Sequence, residues 1–150
     1  MQTMKKEFTE ESLFAEIYKG AKMGADAVIG LLPHVKDDLL RSVITQQLDG
    51  YEKYAARAEE ALAARGCRAK EEGIVARTAA KIGLALGAML ESDTTRLAER
   101  MIEGSNAAIT ALTRWINRFE SIELSSDAVR LAQEVVRFEE HNLELLRQHL

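Results

Sequence analysis

The sequence predicts an all-α protein: a four-helix bundle of two antiparallel hairpins, with a long crossover that carries a fifth, short helix. Apolar residues recur every three or four positions along the chain, and no stretch shows the period-two alternation of a strand. The 150 residues contain a single proline, Pro33, which suits long helices because an interior proline costs about 3 kcal/mol. The connections between the helical segments are short at two places and long at one, which indicates the order of the hairpins.

The apolar spacing predicts helices over residues 8–32, 36–65, 74–91, 95–121 and 126–149. Thr9, with the two acidic residues that follow it, suits the first turn of the first helix, because carboxylates complement the helix dipole there. Pro33 ends that helix, since the residue before a proline is displaced from the α region. Gly66 is typical of the position after a final helical turn, and it ends the second helix. Residues 125–127, Ser-Ser-Asp, offer N-caps for the last helix.

The lengths of the connections predict the topology. Links of about three and four residues make the first two helices one antiparallel hairpin and the last two helices another. Residues 66–94 form a longer link, and it can run the length of a bundle whose 27-residue helices are about 40 Å long. The second helix then lies parallel to helix 95–121. An alternative is that 74–121 is one continuous helix, because one apolar stripe runs through it; we favour a break at 92–95, where short polar side chains compete with the helix backbone.

The composition is that of one globular domain spanning residues 1–150, with 47% apolar and 29% charged residues. The net charge of −4 argues against nucleic acid or an anionic membrane as a partner, because both favour a basic surface. The most apolar stretch, 74–90, is interrupted by Arg77 and Lys81 and is too short to span a bilayer. Cys67 is the only cysteine, so an intramolecular disulfide is excluded and we expect a cytoplasmic protein.

Glu139 is the most informative residue, because it falls on the apolar face of the last predicted helix. Burying an unpaired carboxylate costs several kcal/mol, so its position requires an explanation. A hydrogen-bonded core network is the explanation we favour, and a bound metal, protonation with a raised pKa and a small-molecule pocket remain open. The mid-helix groups that can converge on it are Gln47, Ser105, Asn142, Tyr51 and Tyr54.

Glycines are unusually frequent inside the predicted helices, where each costs about 0.5–1 kcal/mol relative to alanine. They are Gly20, Gly24, Gly30, Gly50, Gly83, Gly87 and Gly104. The simpler interpretation is that they let helix backbones approach closely. The alternative is that three of them, Gly20, Gly24 and Gly50, face the middle of the core and leave room for a ligand or a bulky neighbour. The candidate neighbours are Tyr51, Tyr54 and Trp115.

The hairpin–crossover–hairpin order and the inward Glu139 resemble the ferritin-like superfamily, especially small rubrerythrin-like bacterial proteins. In that family a di-iron site takes one Glu from each of two helices and a Glu-x-x-His from each of the other two. The last helix of this chain keeps the glutamate of that motif in Glu139-Glu140-His141-Asn142, with Asn142 at the position of the histidine. His141 stands one position away from it, about 100° around the helix.

The other helices depart further from the pattern. On the second helix, Gln47 and Gly50 stand where the motif has glutamate and histidine. On the first helix, Gly20 and Gly24 lie where a glutamate is needed, and on helix 95–121 the inward residue is Ser105. Glu139 is thus the only plausible metal ligand left of six, and the resemblance implies a ferritin-like domain that has lost its di-iron site and holds no cofactor.

These observations favour a non-catalytic bundle protein that acts in binding or assembly, as a homo-oligomer that associates through its helix faces. No Ser-His-Asp or Cys-His set and no phosphate-binding glycine loop is present in the sequence, which argues against an enzyme. One alternative is an iron- or manganese-dependent redox or ferroxidase-like protein that uses Glu139 with non-standard ligands. Another is a carrier for an unknown small molecule with a pocket in the middle of the bundle.

Overall fold

The computed structural model describes residues 8–69, 94–120 and 126–150, and it is helical in each of these ranges. The α-helices that they contain are α1 (Glu10–Leu31), α2 (Asp38–Ala64), α3 (Thr94–Glu120) and α4 (Asp127–Arg147). A short 3-10 turn, Leu32–His34, follows α1.

The predicted all-α class is confirmed for these ranges, which contain no strand. None of their helices combines the length and the hydropathy needed to cross a membrane. The predicted short helix 74–91 lies outside the described residues. So does half of the segment 92–95 in which we placed a break, and α3 is already helical at the other two residues, Thr94 and Thr95.

Local capping explains where the helices begin and end. The Thr9 hydroxyl accepts a hydrogen bond from the Ser12 amide (3.0 Å) and caps α1, which starts two residues later than the sequence predicts. Asp37 caps α2 by accepting from the Leu40 amide (2.8 Å), and this cap starts α2 two residues later than the sequence predicts. Gly66 follows α2 with φ +73°, a left-handed conformation that favours glycine and ends a helix.

Contacts between helix ends establish the direction of each helix. Arg65, just after α2, pairs with Glu10 at the start of α1 (2.8 Å), so α1 and α2 are antiparallel. Thr95 at the start of α3 donates to the carbonyl oxygen of His149, just after α4 (3.4 Å), so α3 and α4 are also antiparallel. Ser126 donates to Glu10 (2.7 Å), which places the starts of α1 and α4 at the same end. It follows that α2 runs parallel to α3, and that the end of α2 and the start of α3 lie at opposite ends of the bundle.

The apolar core has two clusters, one at each end of the bundle. The α1–α2 and α3–α4 pairs pack along their lengths, and α4 also contacts α1 and α2. The cluster near the starts of α1 and α4 includes Leu13, Ile17, Tyr54, Trp115 and Leu131. The cluster near their ends includes Val28, Leu40, Ile44, Leu97 and Leu146. A layer of buried polar side chains lies between the two clusters, and it contains the candidate functional site.

Candidate functional site

The centre of the polar layer is the Glu139 side chain, of which only 2% is exposed. Its Oε1 atom accepts three hydrogen bonds: from the Tyr51 hydroxyl at 2.9 Å, from the Ser105 hydroxyl at 2.8 Å and from the Asn142 amide at 3.1 Å. The three donors come from α2, α3 and α4, so one carboxylate oxygen links three of the helices.

The sequence brings these donors together through helical spacing. Glu139 and Asn142 are three residues apart and therefore share one face of α4. Ser105 lies in the middle of the buried stripe of α3, and Tyr51 lies in the middle of α2, opposite the same level of α4. Three of the five groups that the sequence offers as partners of Glu139 thus contact it.

Gln47 and Tyr54, the other two, do not bind Glu139. Gln47 is 1% exposed, and neither polar atom of its amide has a hydrogen-bond partner among the described residues. The Tyr54 ring packs against Phe138, with 5.2 Å between ring centroids, and lies below the guanidinium of Arg57. The sequence offers these two side chains only as possible partners of Glu139, because a helical position fixes a face but not the neighbour that the side chain meets.

Electrostatics distinguish the two ends of the Tyr51–Glu139 hydrogen bond. Burial raises the pKa of Glu139 above its usual value and outweighs the hydrogen bonds from Ser105, Asn142 and Tyr51, which lower it. Burial, and after it the nearby Glu139 carboxylate, raise the pKa of Tyr51 well above its usual value. The tyrosine therefore stays a neutral donor. No cation forms an ion pair with Glu139 among the residues that the structure describes.

A groove between α1 and α3 reaches this carboxylate. It has a volume of about 530 Å³, and Glu139 and Tyr51 contribute to its lining. Most of its walls are small or apolar residues: Gly20, Met23, Gly24, Ala27 and Leu31 from α1, and Met101, Gly104, Ala107, Ala108 and Ala111 from α3. The charged residues that complete the lining are Glu16, Arg100 and Glu103. The α3 wall is not among the predicted site residues, although small residues at positions 104, 107, 108 and 111 follow one helical face.

The second oxygen of Glu139, Oε2, differs from the first. It accepts no hydrogen bond from any described residue, whereas Oε1 accepts three. Glu139 is thus an almost fully buried carboxylate that borders the groove and has hydrogen-bonding capacity left over. Such a group suits recognition of a ligand that brings its own donor.

Two of the helix glycines make room for aromatic rings. A Cβ atom at Gly24 would lie 2.5 Å from the Tyr51 ring, and a Cβ atom at Gly50 would overlap the Phe138 ring. The structure therefore supports a bulky neighbour at both positions, and the neighbour of Gly50 is Phe138, which is not among the predicted neighbours. Gly20 does not face the middle of the core as expected: it is exposed, and no described atom lies within 4 Å of a Cβ built there.

The donor set around Glu139 does not fit a di-iron site. Its contacts are two hydroxyls and an amide, whereas iron in this kind of site needs further carboxylates and imidazoles. His141 lies on the solvent side of α4 and pairs with Glu144 at 3.5 Å. Within the described ranges, no group of three or more His, Cys, Asp or Glu side chains could hold a metal ion.

Comparison of this chain with protein-family models, with curated proteins and with solved structures gives no significant match.

Proposed function

We propose that this chain is a non-catalytic, ferritin-like bundle protein that binds a small molecule in the α1–α3 groove. The observation that carries the proposal is the buried Glu139 carboxylate, which borders the groove and keeps one oxygen without a hydrogen bond from the described residues. A volume of about 530 Å³ lies within the range of about 300–1,000 Å³ that is common for small-molecule sites.

The ferritin-like part of the proposal is supported by the direction of the helices. Two antiparallel hairpins with α2 parallel to α3 require a connection between opposite ends of the bundle, which is the arrangement of ferritin-like folds. The mid-bundle position of Glu139 agrees with this assignment. The loss of metal chemistry is supported by the neutral donors around the carboxylate.

The test is a titration with three six-carbon probes, n-hexylamine, n-hexanol and hexanoate. Binding is monitored through the amide NMR signals of Gly20, Gly24 and Gly104. We expect at least one probe to cause saturable shifts of these signals, because all three glycines line the groove. Gly104→Leu should weaken binding at least about tenfold, since no described atom lies within 4 Å of a Cβ built at Gly104 and the leucine would fill the groove.

Thr110→Leu is the matched control, because Thr110 is exposed on the same helix and does not line the groove. This variant should bind the probes as the unmodified protein does. The proposal is overturned if none of the probes causes saturable shifts of the glycine signals. Equal weakening by the two leucine variants would also contradict it.

A further inference from the structure

We propose that the ligand of the groove is an amphiphilic amine, whose ammonium group binds Oε2 of Glu139 and whose apolar body lies along α1 and α3. This inference rests on the proposed function and names its ligand class. It comes from the charges of the lining, the hydrogen-bond geometry of Glu139 and the apolar character of the walls.

The charges of the lining select a cation. Three carboxylates, those of Glu16, Glu103 and Glu139, border the groove together with one guanidinium, that of Arg100. Arg100 lies 3.7 Å from Glu103 and so offsets one of the exposed carboxylates. With Glu139 ionised, the lining has an excess of two negative charges. A carboxylate or phosphate ligand would be repelled there, and a cation would be attracted.

The hydrogen-bond geometry of Glu139 favours a ligand that carries a hydrogen-bond donor. Three hydrogen bonds to Oε1 are the arrangement that stabilises an ionised carboxylate, because each donor points at the same negatively charged oxygen. The opposing effect is desolvation by burial, and no described cation offsets it. An ammonium group at Oε2 would supply both the missing charge and an N–H donor.

The uncharged part of the lining favours a ligand with an apolar body. Met23, Ala27, Leu31, Met101 and Ala108 present an apolar surface next to the carboxylate. Methionine side chains adapt to ligands of varied shape, and small residues leave depth for an alkyl or aryl chain. A hydrophilic polyamine would bring charges to apolar walls at a cost in desolvation. The arrangement therefore fits one cationic end and an apolar body.

The test compares the affinities of n-hexylamine and n-hexanol, which differ in the charge and donors of the head group. At neutral pH the amine is protonated, and we expect it to bind at least about tenfold more tightly than the alcohol, since a hydrogen bond between two charged groups is stronger than one from a neutral hydroxyl. Glu139→Gln should reduce the preference to less than about threefold. Glu140→Gln, which removes an exposed charge of α4 that does not line the groove, should keep the preference above about fivefold.

A pH titration of the unmodified protein tests the same contact without a substitution. Protonation of Glu139 removes the anion that binds the ammonium group, so the amine-over-alcohol preference should fall as the pH is lowered from about 8 to about 5. The groups that face Glu139 or the groove from the neighbouring helices are Tyr51 on α2, Glu16 on α1, and Arg100 and Glu103 on α3. The pH dependence should persist in a double variant with Glu16→Gln and Glu103→Gln.

The outcomes separate this inference from the proposed function. If n-hexanol or hexanoate binds as tightly as the amine, with Gly104→Leu weakening it, the ligand class is wrong and the groove is still a binding site. A preference for the amine that survives Glu139→Gln also overturns the inference. If none of the three probes binds, both proposals fail.

Discussion

Two glutamates, Glu10 and Glu139, each join several helices, and they do so by different means. The Glu10 carboxylate accepts hydrogen bonds from the Ser126 hydroxyl (2.7 Å) and the Ala128 amide (3.3 Å) on Oε2, and pairs with Arg65 (2.8 Å) through Oε1. Both of its oxygens therefore have partners. Glu139 has three neutral donors on Oε1 and no described donor on Oε2.

The pKa shifts of the two glutamates are opposite for this reason. Burial acts to raise the pKa of Glu10, but hydrogen bonds from Ser126 and Ala128 and the charge of Arg65 together lower it. Burial of Glu139 prevails over its neutral donors and raises its pKa. At the end of the bundle where α1 and α4 start, both oxygens of Glu10 have partners. We call its contacts with Ser126, Ala128 and Arg65 the Glu10 clamp. Glu139 lies next to a groove and its Oε2 atom has no described hydrogen-bond donor, which suits it to bind a ligand.

The largest effect on stability is expected from Gly24→Leu, which disturbs the packing of Tyr51 beside Glu139. The new side chain would collide with the Tyr51 ring, which lies 2.5 Å from an added Cβ atom and is held between buried groups. We expect a loss of about 2–3 kcal/mol in the free energy of unfolding, measured by urea titration, because overpacked cores shift or distort. Displacement of Tyr51 would also remove its hydrogen bond to Glu139.

Gly20→Leu is the matched control on the same helix. Gly20 is exposed and has no described atom within 4 Å of an added Cβ, so leucine should be neutral or stabilise by up to about 1 kcal/mol through helix propensity. Equal destabilisation by the two substitutions would show that a glycine at position 24 is not needed to accommodate Tyr51. The same contact makes Gly24→Leu unsuitable for blocking the groove, whereas Gly104→Leu leaves Tyr51 in place.

The next effect concerns the Glu10 clamp. Glu10→Gln removes the charge that Arg65 and the start of α4 bind. We expect the free energy of unfolding, measured by thermal or urea unfolding, to fall by about 1–2 kcal/mol. Glu11→Gln is the control, because Glu11 lies farther from Arg65 (3.7 Å) and its side chain is 44% exposed. That substitution should change stability by less than about 0.5 kcal/mol. Similar losses for the two variants would mean that the charge of Glu10 stabilises the bundle no more than that of the half-exposed Glu11.

Periodicity alone predicted much of the Glu139 site and little of the Glu10 clamp. An apolar face identifies which residues turn inward, and Glu139, Asn142, Ser105 and Tyr51 all do so at one level of the bundle. The sequence assigns Glu10 only to the first turn of its own helix. Its partner Ser126 is 116 positions away, and a contact at that distance depends on how the helices are arranged.

The parts of the site that the sequence did not predict have physical explanations. A spacing of 100° per residue fixes the face of a helix but not its rotation and height against its neighbours. Gln47 therefore reaches the core without reaching Glu139, and Phe138, which precedes Glu139 in the chain, fills the space beside Gly50. The groove lies between α1 and α3 because small residues on the two facing helix surfaces leave the space between them open, and no single helix shows that space in its own sequence.

The smallest expected effect on stability is that of Glu139→Gln. The dependence of this effect on pH reports the protonation of Glu139. Because the folded-state pKa of Glu139 is raised, the folded protein binds this proton more tightly than the unfolded chain does, and the contribution of Glu139 to stability falls as the pH rises through that window. Glutamine does not titrate. The variant should therefore gain stability relative to the unmodified protein as the pH rises. At neutral pH its free energy of unfolding should equal that of the unmodified protein or exceed it by up to about 1 kcal/mol.

Glu10→Gln should show the opposite slope. The lowered pKa of Glu10 means that its stabilisation is present above the pKa of the unfolded chain and is lost as the pH falls through the folded-state pKa. The deficit of this variant should therefore shrink in acid, while the relative stability of Glu139→Gln decreases there. Melting curves of both variants and the unmodified protein between about pH 3 and pH 8 give the two difference profiles. Parallel profiles would contradict the comparison, because they would place the two carboxylates in equivalent electrostatic environments.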